Sequence, residues 1–102
     1  MKQFLIRYRL TNATPDSWHQ EIAEFISALD NDPELKGRVA YRVMKNRDGS
    51  DYYHVASPAD DEAVKTLQQR PFFKAYTERT RAVAGGEVTV SPLETIAETA
   101  RA

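Results

Sequence analysis

Near its start the chain alternates, with Phe4, Ile6, Tyr8 and Leu10 on one side and Gln3, Leu5, Arg7 and Arg9 on the other. A period of two predicts a strand over residues 3–11 with its apolar side inward. The spacing then changes. Trp18, Ile22, Phe25, Ile26 and Leu29 form a single stripe at helical intervals, with Glu21 and Glu24 facing water. Thr14-Pro15-Asp16 supplies an N-cap, a first-turn proline and an acid at the positive end of the dipole. Asp30-Asn31-Asp32-Pro33 closes this helix, because the residue before proline is driven out of the helical region.

Residues 39–56 read as a hairpin, VAYRVMK-NRDGS-DYYHVA. Gly49 suits a three-residue loop (Arg47, Asp48, Gly49) whose last residue has positive φ. That loop sets Val43 opposite Tyr53 and Tyr41 opposite Val55. The expected core face is therefore Val39, Tyr41, Val43, Tyr53 and Val55. Arg42, Met44, Tyr52 and His54 are expected on the other face, and a one-residue slip would exchange the two sets of one strand.

Ser57-Pro58-Ala59-Asp60 repeats the helix-start signal ahead of Ala63, Val64 and Leu67. Pro71 interrupts, and Phe72, Phe73, Tyr76, Thr80 and Val83 mark a further helix closed by Gly85-Gly86. Val88 and Val90 lie on one face of a short strand. Ser91-Pro92-Leu93-Glu94 looks like another cap, so residues 1–92 are expected to form the domain and 93–102 a C-terminal tail helix. The order strand, helix, strand, strand, helix, strand predicts an α+β, ferredoxin-like βαββαβ domain: a four-stranded antiparallel sheet with helices on one face.

Composition narrows the chemistry. A formal net charge of −1 gives no general attraction to nucleic acid or anionic membrane, and neither is expected as a partner. Cysteine is absent, which removes disulfides, thiol nucleophiles and thiolate metal sites. No apolar run approaches a membrane span and the start has no signal-peptide pattern, so a cytoplasmic location is the expectation. His19 and His54 are the only histidines and share no metal-ligand spacing, so no metal is expected.

Two constellations remain. Tyr8, Tyr41, Tyr53, Trp18, Phe72 and Tyr76 would line a cleft between sheet and helices, giving apolar walls with polar tips suited to a small aromatic ligand. The same residues could equally be core aromatics. His54 with Arg42, and Arg7 or Arg9 alongside, would instead form a cationic site on the uncovered face, with a histidine held neutral as a base requires. The expected register points His54 away from the cleft, so the two would not serve one site. The uncovered face is too polar for a dry core yet richer in Leu, Met, Tyr and Ala than a fully solvated face needs. It is either an open sheet face in water or, as expected here, the meeting face of a homodimer.

SPADDEAVKTLQQRPFFKAYTERTRAVAGGEVTVSPLE resembles the second half of the antibiotic biosynthesis monooxygenase-like (dimeric α+β barrel) family. Pro71, Phe73, Ala75 and Tyr76 match that family's Pro-x-Phe-x-x-(Tyr/Phe) run, and the element order matches over about the first 92 residues. The resemblance implies homodimers whose sheets face each other. It also implies cofactor-free oxidation of phenolic or quinol-type compounds, with His54, Tyr41 or Tyr53 as base or proton carrier. The chain departs from the family where Pro58 replaces a tryptophan and where Leu67 and Phe72 replace histidines. A non-catalytic dimeric module that binds a ligand or partner is the alternative.

Overall fold

The computed structural model describes residues 2–100. Its elements are β1 (Lys2–Arg9), α1 (Pro15–Asn31), β2 (Val39–Lys45), β3 (Asp51–Pro58), α2 (Asp61–Gln69), α3 (Pro71–Val83) and β4 (Val88–Glu94). The strands form a four-stranded antiparallel sheet ordered β2-β3-β1-β4, the ferredoxin-like arrangement. Helices cover one face.

α1 begins as its sequence predicts: Thr14 caps it, accepting from the Ser17 backbone N–H at 3.3 Å. It buries Trp18, Ile22, Phe25 and Leu29 on the sheet. The break between α2 and α3 is pinned from outside the pair. Arg70 sits at the junction and donates to Asp32 at 2.7 and 3.3 Å and to Glu34 at 2.8 Å, tying it to the end of α1.

The hairpin register differs from the expected one by a single residue. Val43 faces His54 and Tyr41 faces Ala56. The loop has four residues, Arg47–Ser50, because Asn46 N–H donates to the Asp51 carbonyl at 3.0 Å. Gly49 has no positive φ. Its N–H closes a turn onto the Asn46 carbonyl at 3.5 Å, and Lys45 Nζ donates to both the Asn46 and Gly49 carbonyls. The slip turns every side chain of β3 over. Tyr52, His54, Ala56 and Pro58 face the helices, while Tyr53 and Val55 join Arg42 and Met44 on the uncovered face.

Both Ser-Pro signals belong to strands. Ser57 and Pro58 end β3, with Pro58 opposite Val39, and α2 is capped by Asp60, whose carboxylate accepts from the Ala63 N–H at 2.8 Å. Ser91 and Pro92 lie within β4, paired with Leu5 and Phe4. β4 is an edge strand, where a proline without an N–H is tolerated. The sheet therefore runs to Glu94, and 95–100 form no helix. The tail helix expected over 93–102 is absent among the described residues; 101 and 102 lie outside them. Leu93 and Glu94 are held in the ladder with β1, and Ile96, an apolar residue of the expected helix, is 89% exposed and has no face to bury against.

Candidate active site

The corrected register places His54 at the centre of the sheet, on the helix side and 1% exposed. Both ring nitrogens meet tyrosine hydroxyls. Nε2 is 2.7 Å from Tyr8 Oη, while Nδ1 is 2.8 Å from Tyr41 Oη and 3.3 Å from Tyr76 Oη. β1, β2 and α3 each contribute one of these hydroxyls. Behind Tyr8, the fully buried Trp18 donates Nε1–H to Tyr8 Oη at 2.7 Å. Among the described residues no buried side-chain nitrogen or oxygen lacks a partner.

Ring contacts hold the group in place. Tyr76 is sandwiched between Phe25, stacked at 3.8 Å between centroids, and Trp18, stacked at 5.8 Å. Tyr52 stacks on Tyr8 at 5.4 Å and meets His19 Nε2 at 2.6 Å through its hydroxyl. The His19–Tyr52 pair was hidden from the sequence reading by the register, which put Tyr52 on the other face.

Burial sets the protonation states. It pushes His54 down to about 4, so the ring is neutral at pH 7. Burial also raises the Tyr8, Tyr41 and Tyr76 hydroxyls above the ordinary phenol range, so they keep their protons.

His54, Tyr41 and Tyr76 form part of the wall of a 310 Å³ cavity between the sheet and α2–α3. The rest of the wall is mostly apolar, with Val39, Leu67, Phe73 and Val88 prominent, and Gln68 and Thr77 among its polar members. Arg81 is the one charged residue among the described lining residues.

The expected site residues thus separate into four sets. His54, Tyr41 and Tyr76 come together at the cavity, against the expectation that the histidine and the tyrosine cleft would be apart. Tyr8 and Trp18 lie behind them in the core. Phe72 packs on Phe25 at 6.0 Å between centroids, and its neighbour Phe73 lines the cavity in its place. Tyr53 and Arg42 are on the opposite face, where the Arg7 guanidinium lies 5.7 Å from the Tyr53 ring centre. They cannot join His54 in one site of this chain. Arg81 and Gln68 were missed, since nothing in their spacing separates them from solvated helix positions. Among the described residues no cluster of three or more histidine, cysteine or carboxylate groups could hold a metal ion.

This backbone has close counterparts among solved structures. An asparagine-to-alanine variant of SnoaB, a cofactor-independent oxygenase from Streptomyces nogalater, superposes with a TM-score of 0.77 at 18% identity, over 99% of this chain and 97% of that one. A structure described as an antibiotic biosynthesis monooxygenase gives 0.76 at 12% identity, over 95% and 100%. The chain shares the monooxygenase fold. Rv0793 from Mycobacterium tuberculosis also gives 0.76 at 12% identity, over 97% and 98% of the two chains. No protein-family model matches this chain, and no curated protein matches its sequence. Among the described residues no helix is long and apolar enough to cross a membrane.

Proposed function

We propose that this protein is a cofactor-independent monooxygenase that oxidises a small phenolic or quinol-type compound in the cavity between the sheet and α2–α3. One observation carries the reading: the hydrogen-bonded His54, Tyr41 and Tyr76 lie on the wall of an otherwise largely apolar 310 Å³ cavity. The apolar wall suits the rings of an aromatic compound and thins the water around its reacting oxygen. The hydroxyl array meets that oxygen and favours its anionic, electron-rich form. The description of SnoaB as a cofactor-independent oxygenase supports the same chemistry.

The reaction closes without an external reductant. A methylene between aromatic rings, made acidic by a conjugated carbonyl, loses a proton to solvent water, the enolate oxygen being held by the tyrosine hydroxyls, and the resulting anion passes an electron to O₂. Carbon–oxygen bond formation and loss of water leave a new carbonyl. One oxygen atom enters the product and the other leaves as water with the two methylene hydrogens.

Oxygen uptake with anthrone and a panel of hydroquinones, with no added metal, flavin or haem, tests the reading. Tyr41→Phe, which removes a donor to the developing oxyanion, and His54→Ala, which removes the group that orients it, should each lower the rate by about a hundredfold or more. Tyr53→Phe should leave it unchanged, since that hydroxyl is on the other face. No uptake, with retained binding of the aromatic panel, would leave the non-catalytic ligand-binding module.

The same reading includes a homodimer. The uncovered sheet face carries Tyr53, Val55 and Met44 around Arg42, and Met44 is 43% exposed. Pairing two such faces would bury them. Light scattering at micromolar concentration should give about twice the 11.6 kDa of one chain, and a monomer at that concentration would remove the dimer.

A further inference from the structure

The hydrogen-bonded group behind the cavity has a direction. An indole N–H can donate but not accept, so Tyr8 Oη is the acceptor of its 2.7 Å bond from Trp18. Among the described residues the Tyr8 hydroxyl has one other hydrogen-bond partner, His54 Nε2, also at 2.7 Å. Suppose Nε2 carried the imidazole proton. Trp18 and His54 would then both donate to Tyr8, and the Tyr8 hydrogen would have no acceptor in a residue that is 5% exposed. Leaving a buried donor unmet disfavours that arrangement by roughly tenfold to a hundredfold.

With the proton on Nδ1 every buried link is made. Tyr8 donates to Nε2, and Nδ1–H donates to Tyr41 Oη at 2.8 Å, with Tyr76 Oη at 3.3 Å as a second acceptor. The hydrogens these bonds leave without an acceptor are then those of Tyr41 and Tyr76, both on the cavity wall, where a bound oxygen or water can take them.

We propose that Tyr8 is a positioning residue that fixes His54 as its Nδ1–H tautomer, with Trp18 holding the Tyr8 hydroxyl in place, so that the cavity presents hydrogen-bond donors to a bound oxygen atom. Neither residue lines the cavity, and both act through His54. For its consequence, the inference rests on the oxygenase reading. A carbonyl or phenolate oxygen of the substrate is held by Tyr41 and Tyr76 while negative charge gathers on it. His54 strengthens those donors and does not itself take a proton from the cavity side.

Nitrogen NMR of the protein labelled with ¹⁵N-histidine, at pH 7, reads the tautomer directly. His54 should show a protonated Nδ1 and an unprotonated Nε2 in more than about nine-tenths of molecules, the population a tenfold preference gives. A majority with the proton on Nε2 would overturn the proposal. Tyr8→Phe keeps the ring, removes the donor to Nε2 and should move the tautomer ratio toward one. An unchanged ratio would remove Tyr8 from the device. Trp18→Phe supplies no acceptor for the Tyr8 hydrogen and should leave Nδ1 protonated in most molecules. A majority with the proton on Nε2 in that variant would overturn the proposal. Should Tyr8→Phe fail to fold, the parent protein and Trp18→Phe still decide it. The nitrogen signals are read without substrate. Absent oxygen uptake with the expected tautomer would sink the oxygenase reading alone, and turnover with the wrong tautomer would sink this inference alone.

Discussion

Truncating Trp18 to alanine should lower the unfolding free energy by about 3–5 kcal/mol, the cost of removing a large aromatic from a packed core. Trp18 is fully buried. It stacks on Tyr76, meets the Tyr8 ring edge-on at 6.4 Å and donates to the Tyr8 hydroxyl. The neighbouring rings are themselves stacked, Phe25 on Tyr76 and Tyr52 on Tyr8, so they cannot collapse into the space left without breaking those contacts. The loss is a large part of the 5–15 kcal/mol that holds a typical domain together. Urea unfolding followed by circular dichroism measures it. A loss below about 1 kcal/mol would mean that the α1 stripe is not what anchors helix to sheet.

Much of the fold was legible because several local signals agreed. In α1 the cap, the first-turn proline and the apolar stripe all pointed one way, and β1 alternated cleanly. The hairpin shows where legibility ended. Its two registers offer nearly equal apolar faces, and Tyr53 with Val55 looks the better core set than Tyr52, His54 and Ala56. His54 is buried only because its nitrogens meet hydroxyls from β1, β2 and α3, residues remote in sequence. No local pattern carries that pairing. Gly49 also misled, since a glycine in a loop permits positive φ without requiring it.

The Ser-Pro pairs make the same point about context. Ser57-Pro58 and Ser91-Pro92 carry the residues of a helix start, yet β1 and β2 offer them strand partners. A strand that continues an existing ladder gains bonds at once, whereas a short new helix must first nucleate. The tyrosine cleft was recognised as an aromatic cluster. Its histidine is expected on the wrong face, and the candidate site consists of the two together.

Acid should destabilise the protein in a window that the buried histidine defines. His54 titrates near 4 in the folded chain because burial disfavours its charged form, against an ordinary value of 6.5. Below about pH 6.5 the unfolded chain therefore binds a proton that the folded chain refuses. Stability then falls as pH falls, levelling off once the folded ring also protonates near pH 4. At about 1.4 kcal/mol per unit of that gap the full effect is about 3 kcal/mol, and about 2 kcal/mol of it is lost between pH 7 and pH 5. Asp32 and Asp60 are held low by hydrogen bonds, to Arg70 for Asp32 and to the Ala63 N–H and Arg38 for Asp60. Their contributions disappear only below the ordinary aspartate range, which leaves the interval from pH 7 to 5 to histidine. Urea unfolding at pH 7, 6 and 5 should trace the decline, and His54→Gln, which cannot take up the proton, should flatten it whatever its own stability. A parent protein equally stable at pH 7 and pH 5 would mean that His54 is reached by water. The closed, donor-directed network of Trp18, Tyr8, His54 and Tyr41 could not then exist as described.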